Sequence, residues 1–545
     1  MVDAVVIGAG PNGLVAANVL ADEGWDVLVL EAQSSPGGGV RSAELTLPGH
    51  VHDVFSSFYP FAAASPVMQS LGLDAFGLEF ARAPHVLANP TPDGRCVVLS
   101  TDTSVTAASL ESYAAGDGAA WRQLLTEWAK VGRHLLELML TPPPPIAPAL
   151  RLVAAVGPSD LARFARFSLL PVRRMAAERF AGQGGALLLA GNAMHSDLAP
   201  ETALSGMFGW LLASLGAEHG FPVVVGGASR LTDALVARLE ARGGRVVCGA
   251  EVTEIAVRRG RAEGVVIADG RSVAARRAVI ADLAAPTLLL DLLRNADLPL
   301  AVVEDARRFE WDAATVKVDW ALDGPVPWAA EDARRAGTVH LCDGIDELSE
   351  ASAALARGAV PARLPLVVGQ YSMTDPTRSP PGTETAWAYA HVPHRGRAGQ
   401  GRPSLDVAEV VAAIEARMEE RAPGFGRRVA ARHVMGPGDL EARNANLVGG
   451  SVNAGTGQLH QQLVFRPIPG SLGASTPIDR LFLASASAHP GGGVHGACGN
   501  NAAVAAIRRE RRSRRLFVAG AAALVSGGVG SGALSARRRR PRSGP

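Results

Sequence analysis

Lysine is nearly missing from this chain: only Lys130 and Lys317 occur among its 53 basic residues, and all the others are arginine. Cysteine is also scarce. Cys96, Cys248, Cys342 and Cys498 stand far apart, and none forms a CxxC pair. That argues against a disulfide scaffold, a zinc ribbon and a redox-active dithiol. A charged fraction of 19% against 48% hydrophobic residues excludes a disordered chain, and 545 residues allow about two to four domain-sized units. The net charge of +1 conceals an asymmetry. From Arg508 onward there are 11 arginines and one acid, which leaves 42 basic and 51 acidic residues in the body before it. The body is acidic and the tail is basic. With a strand expected from residue 3, no room is left for a leader peptide, and a cytoplasmic protein is expected.

What the chain does have is the stretch from 3 to 39, DAVVIGAGPNGLVAANVLADEGWDVLVLEAQSSPGGG. It reads as strand, glycine turn, helix, second strand and terminal acid. Gly8, Gly10 and Gly13 fill the GxGxxG positions: a tight turn, backbone approach to a pyrophosphate, and close helix packing. Pro11 and Asn12 lie between them and open the helix, whose free N–H groups favour an anion. Glu31 lies where a carboxylate accepts from ribose hydroxyls. The following SSPGGGVRS turn adds Gly38 for backbone approach and Arg41 as a phosphate partner.

Further along, 50–66 reads as a loop and short strand lining a cavity or as a buried connector, and 103–140 has helical spacing. TPPPPIAP, at 141–148, stops that spacing and reads as a surface linker. Residues 160–180 set Phe164, Phe167 and Leu170 among five arginines, which fits either a packed helix with a solvated basic face or a membrane-interface helix. VVVGGASRLTDALVARLE repeats strand, double glycine and helix without a GxGxxG. From 245 to 283 period-two alternation with turns at Arg259-Gly260 and Asp269-Gly270 predicts a β-meander that returns to the first sheet. A final strand at 481–483 runs into HPGGGVHG and an alanine-rich helix. The uncharged stretch from Leu516 to Ala536 has the length of a membrane span but is glycine- and serine-rich. An unstructured basic tail that touches anionic lipid or nucleic acid is the preferred reading, although nucleic acid is not expected as the protein's partner.

Four separated motifs, GAGPNGLVAANVLADEGWDVLVLEAQSSPGGG, GGASRLTDALVARLEARGG with VTEI, FRPIPG and HPGGGVHGACGNNAA, resemble those of the phytoene desaturase-like flavoprotein oxidoreductases. That family is a branch of the amine oxidase and glutathione reductase-type FAD fold. Within it the chain is similar to the group that includes pyridine nucleotide-disulfide oxidoreductase domain-containing protein 2, whose "disulfide" has no cysteine pair here. The resemblance implies an α/β fold: a Rossmann-like FAD-binding domain from 1–95, 221–290 and 431–507, an inserted helical and mixed-sheet substrate domain from 96–220 and 291–430, and a basic tail at 508–545.

It also implies FAD as cofactor. Gly8, Gly10 and Gly13 would meet the pyrophosphate, Glu31 the ribose, and Gly38 with Arg41 the phosphate and ribityl region. Val252 matches the adenine position, and Gly492, Gly493 and Val494 lie along the flavin. Ser485 departs from the glycine many relatives carry. Lys317 resembles the strand lysine of the amine oxidase branch, with a strand-edge lysine facing solvent as the alternative. His489 and His495 are candidates for proton shuttling or for structural hydrogen bonds. No metal is assigned. The implied reaction passes a hydride from an organic C–H to FAD, with oxygen, a quinone or another carrier as final oxidant. The substrate is expected to be a small molecule and lipophilic, with peripheral membrane contact through the basic helix or tail. The alternatives are an amine oxidase-like oxidase and a flavin-binding regulatory protein.

Overall fold

VDAVVI at Val2–Ile7 is buried at every position, as a central parallel strand must be when both faces are covered. In the computed structural model, which describes residues 1–394, 396, 405–471 and 473–528 (side chains to 513), this strand is the middle of the first sheet. Five parallel strands run in the order Arg245–Val247, Val27–Leu30, Val2–Ile7, Ser272–Ala281 and Leu481–Leu483. One line across them, Val246, Val29, Val6, Ile280 and Phe482, fixes the register. Because all five point the same way, the residues after their C-terminal ends gather on one rim: Gly8, Glu31, Cys248, Asp282 and Ala484. That rim is where open α/β sheets bind ligands.

The expected meander is present. Val252–Arg258 and Arg261–Ile267 pair antiparallel, and the latter pairs with the start of Ser272–Ala281. The turns stand where Arg259, Gly260 and Gly270 take positive φ. On one face of the sheet the first helix, Pro11–Asp22, lies between helix Ser229–Glu240 and the long helix Ala497–Gly528. A side chain at Gly499 would run into the carbonyl of Asn12, so the last helix lies directly against the first.

The second sheet has seven strands in the order Val429–Met435, Ala314–Leu322, Glu384–Val392, Leu366–Gln370, Ala336–Leu341, His85–Pro90 and Cys96–Leu99. Along the Ala314–Leu322 strand, Val316, Val318 and Trp320 pack with Ile414, Met418 and Phe425 under helix Val407–Arg421. Side chains alternate across a strand, so Thr315, Lys317 and Asp319 take the opposite face. His85–Pro90 falls within 1–95, yet it pairs with Ala336–Leu341, so the first segment of the first sheet's body ends before it.

Helices Thr103–Glu111, Asp117–Leu140 and those up to His219 enclose Trp121, Trp128, Trp210 and Phe167. Within 160–180, Phe167 is core and packs edge-on to Trp210 at 5.0 Å. Its arginines are paired: Arg163 with Asp160, Arg166 and Arg174 with Glu178, Arg173 with Glu201 and Asp346, and Arg179 with Glu127. A membrane-facing basic surface needs unpaired cations, so the packed-helix reading is the one the structure favours. TPPPPIAP is exposed or half-buried except at Pro148, as a surface linker is, and helix Ile146–Val156 begins within it. Among the described residues no helix is long and apolar enough to cross a membrane. The Arg537–Arg540 run and most of the basic tail's end lie outside the described residues.

Candidate functional site

The glycine turn between Ile7 and Pro11 is shaped by what crowds it. Gly8 takes φ +93, and a Cβ there would come within 2.9 Å of the Asp282 carbonyl oxygen. A Cβ on Gly38 would come within 2.8 Å of the Gly10 Cα, so the SSPGGG turn folds directly over the first one. Pro11 occupies the first helical position, where its missing N–H costs nothing. Beside it the Asn12 Oδ1 and the Arg41 Nε are buried without a hydrogen-bond partner. The Arg41 Nε–H is an orphaned donor of the kind a phosphate satisfies, and the helix N-terminus favours the same anion; the Asn12 amide oxygen, an acceptor, does not add to that.

Glu31 is 7% exposed and accepts from the Ala9 N–H at 2.8 Å and the Gln33 N–H at 2.9 Å, with Arg41 at 3.9 Å. The chain at Gly249 and Ala250 is tied to the same strand end, donating to the Gln33 and Glu31 carbonyls. Val252 follows two residues later, buried among Ile7 and Leu30. The predicted adenosine-side residues therefore converge on one rim. The double-glycine passage at 226–227 does not reproduce this, because its helix N-terminus is already occupied. Asp53 accepts from the Ala228 N–H at 2.8 Å, and Asp375 from the Gly226 N–H at 2.8 Å.

The other end of the cradle is the loop at Gly492, Gly493 and Val494. Its first two glycines are exposed; a Cβ on Gly492 would come within 2.9 Å of the Asn453 Oδ1, and one on Gly493 within 3.5 Å of the Phe61 ring. Arg466, from FRPIPG, explains that motif. Its guanidinium is 1% exposed and donates to the carbonyls of Thr456, Ala454 and Ala486, clamping the 453–456 loop to the strand end that carries Ser485. Burial pulls its pKa down to about 10, against the opposing pull of Cys498 and Asp312, so it stays a cation at neutral pH. His489 is held by the Thr141 carbonyl, to which its Nε2 donates at 3.0 Å, and burial lowers its pKa. His495 is buried and accepts from the Ala497 N–H at 3.1 Å at the start of the last helix. Both histidines thus make backbone hydrogen bonds.

Lys317 is 4% exposed, which removes the solvent-facing alternative. Its ammonium donates to the Asp53 carbonyl at 3.0 Å and pairs with Asp319, and His52 stands 3.4 Å from the same carboxylate. The nearby cation and imidazole hold Asp319 below its ordinary pKa against the opposing cost of burial. Asp53 also binds Arg378 at 2.7 Å and the Tyr371 hydroxyl at 3.0 Å. None of these partners is local in sequence to Lys317 except Asp319.

On the same sheet face the structure assembles residues that sequence reading missed. Trp387 and Tyr389 stack nearly parallel, centroids 6.0 Å apart at 8°, and Phe58 lies 5.9 Å from Trp387. The Tyr389 hydroxyl meets the His195 Nδ1 at 3.2 Å, and His195 Nε2 meets His340 Nε2 at 2.9 Å. Asn453 donates to the His195 carbonyl at 3.4 Å and so ties this cluster back to Gly492. Burial raises the Tyr389 pKa and lowers that of His195 to about 4, yet both keep accessible surface. Groups so strongly desolvated yet still accessible border an internal space rather than bulk water. The only sequence signal for this ring is the aromatic richness of 50–66 and of TETAWAYAHVPH.

The four cysteines are all free, and among the described residues no three His, Cys, Asp or Glu side chains are grouped to hold a metal. The glycine cradle, the rim acid and the orphaned Arg41 donor fit FAD, which supplies hydride acceptance when bound. Comparison with known proteins agrees. A protein of Mus musculus named pyridine nucleotide-disulfide oxidoreductase domain-containing protein 2 is 28% identical over 549 residues, covering 93% of each chain. The neurosporene-forming phytoene desaturase of Rhodobacter capsulatus is 25% identical over 520 residues, 92% of this chain and 93% of that one. The crystal structure of an oxidoreductase from Methanosarcina mazei shares the fold, with a TM-score of 0.60 at 17% identity over 93% of this chain and 99% of that chain. The family model of flavin-containing amine oxidoreductases matches residues 12–507, and the chain, an FAD-dependent oxidoreductase, belongs to that family.

Proposed function

We propose that this enzyme dehydrogenates a lipophilic organic substrate seated in the internal space beside Trp387 and Tyr389. The observation that carries the reading is the aromatic cluster of Phe58, Trp387 and Tyr389, in which Trp387 and Tyr389 lie nearly parallel and Phe58 is tilted by 49°, while the Trp387 N–H is taken up by the Tyr371 hydroxyl and the Tyr389 hydroxyl by His195. Stacked aromatic rings hold an unsaturated or aliphatic body well and orient it without hydrogen bonds. The relative named as a phytoene desaturase, matched over nearly its whole length, is consistent with such a substrate. FAD takes up the hydride, and Gly8, Gly10, Gly13, Glu31, Gly38, Arg41, Val252, Gly492, Gly493 and Val494 are the residues proposed to hold it.

Removing two hydrogens from a C–C pair also releases a proton. His195 is proposed to take it up through Tyr389: the hydroxyl accepts the substrate proton as it passes its own to the His195 Nδ1, with His340 on the other ring nitrogen. Lys317, held by Asp319 on the same face, is proposed to act at the flavin side of the reaction. A second reading, oxidation of an amine, rests on this buried strand lysine and the family match.

The test is an absorbance spectrum of the purified protein followed by anaerobic titration. Bleaching of the flavin bands by a long-chain polyene and not by primary amines supports the proposal. Bleaching by amines alone replaces it with the second reading.

A further inference from the structure

The carboxyl group of Asp282 sits inside the cofactor cradle. It follows the strand Ser272–Ala281, and its Oδ2 accepts the Gly13 N–H at 2.8 Å. The same oxygen lies 2.6 Å from where a Cβ on Gly10 would be. Its backbone is fixed on both sides: the Asp282 N–H donates to the Ile7 carbonyl at 2.8 Å, and its carbonyl accepts from Asn446 Nδ2 at 2.9 Å. Asp282 is 6% exposed, so the side chain has little room to swing away. The protein thus places its own acid on an N–H of the helix N-terminus to which a pyrophosphate is drawn.

We propose that Asp282 makes FAD binding proton-coupled: the carboxylate takes one proton from solvent as FAD binds, and the neutral acid then donates its O–H to a pyrophosphate oxygen. The one bond formed is the carboxyl O–H, its proton given up by hydronium or the buffer acid, and up to one proton is taken up per FAD above about pH 7. An ionised carboxylate and a pyrophosphate competing for one N–H would repel, whereas a neutral carboxyl supplies a donor. The ionisable groups that face Asp282 are Glu31 across the rim and the Cys498 thiol at the start of the last helix, and neither is a cation. Burial, with Glu31 adding to it, raises the Asp282 carboxyl to about 7 before any phosphate arrives, despite the opposing Gly13 hydrogen bond. Phosphate charge raises it further. The sign follows: below about pH 7 the proton is already present and affinity is flat. Above it, each pH unit weakens FAD binding by up to about ten-fold until the bound-state pKa is passed.

The proposal rests on FAD as the ligand of this cradle. The test is equilibrium binding of FAD to the full chain between pH 6 and 9, read by FAD fluorescence, with calorimetry at pH 8 in two buffers of different ionisation enthalpy. Expected are affinity falling with pH above 7, net proton uptake on binding, and loss of both in Asp282→Asn, which at pH 9 binds FAD more tightly than the parent. Wild-type affinity that is flat from pH 6 to 9 with no uptake overturns the proposal and leaves FAD in place. A pH slope that persists in a folded Asp282→Asn overturns it as well. Absence of FAD binding at every pH overturns the cofactor assignment and the proposal together. The wild-type uptake decides even if the variant fails to fold.

Discussion

Replacing Lys317 by methionine removes the cation that faces a carboxylate with 0% exposure. Asp319 then keeps only the His52 imidazole, at 3.4 Å, beside it. Removing one member of a buried ion pair typically costs about 3–5 kcal/mol, most of it the desolvation of the survivor. His52 offsets part of that, so the expected loss for Lys317→Met is about 3 kcal/mol in urea unfolding followed by tryptophan fluorescence. Asp319→Asn should cost a similar amount, and the double variant should recover at least about 2 kcal/mol of the summed losses, since directly paired residues couple. The same variants separate scaffold from chemistry. If Lys317 acts at the flavin, the double variant regains stability yet still reoxidises slowly in stopped flow with FAD retained. If the lysine only anchors the sheet face, both return together. A loss below about 1 kcal/mol in the single variant, with no coupling, would refute the reading of this pair as a desolvated unit.

Three further outcomes are expected. Gly13→Val drives a side chain into the Gly8 carbonyl, so FAD affinity should fall at least about ten-fold while circular dichroism stays native; unchanged affinity would contradict the cradle. Tyr389→Phe removes the hydroxyl that holds His195 and should lower kcat about ten-fold or more with the flavin spectrum intact, and an unaltered kcat would remove that chain from the mechanism. His495, buried and held neutral with its pKa lowered to about 4, stabilises the fold fully above pH 6.5, and that contribution is lost as pH falls toward 4. The loss is worth about 3 kcal/mol over that window at 1.4 kcal/mol per pH unit. His495→Asn should flatten the acid limb of a stability–pH curve, and an identical limb would point to other groups.

What could be read from the chain beforehand was whatever lies close together along it. The GxGxxG turn, the Pro11 start of the first helix and Glu31 fall within one short βαβ unit, and the Arg259-Gly260 and Asp269-Gly270 turns betray their hairpins by composition alone. Asp282 was invisible as part of the cradle because 269 residues separate it from Gly13, and a strand-end aspartate carries no local mark of its partner. The ring of Phe58, His195, Trp387, Tyr389 and Asn453 draws on four stretches of chain, and no periodicity joins them. The arginines at 163–179 misled in the opposite direction. Their charges are visible in sequence, but the acids that neutralise them, among them Glu127, Glu201 and Asp346, come from elsewhere. Lys317 stood out by its rarity, and only the fold could supply the Asp53 carbonyl that holds it.

The close seating of the last helix on the first, with Gly499 against the Asn12 carbonyl, also sets an order of events during synthesis. The glycine turn emerges from the ribosome almost at once, but the wall that closes over it is nearly 500 residues away in the chain. A nascent chain can fold its first strand–helix–strand unit early, yet it cannot complete the flavin pocket until that helix has been made. Cofactor loading is therefore expected to be completed only after synthesis has passed residue 499. Growth in limiting riboflavin should leave a full-length, protease-sensitive pool rather than truncated fragments.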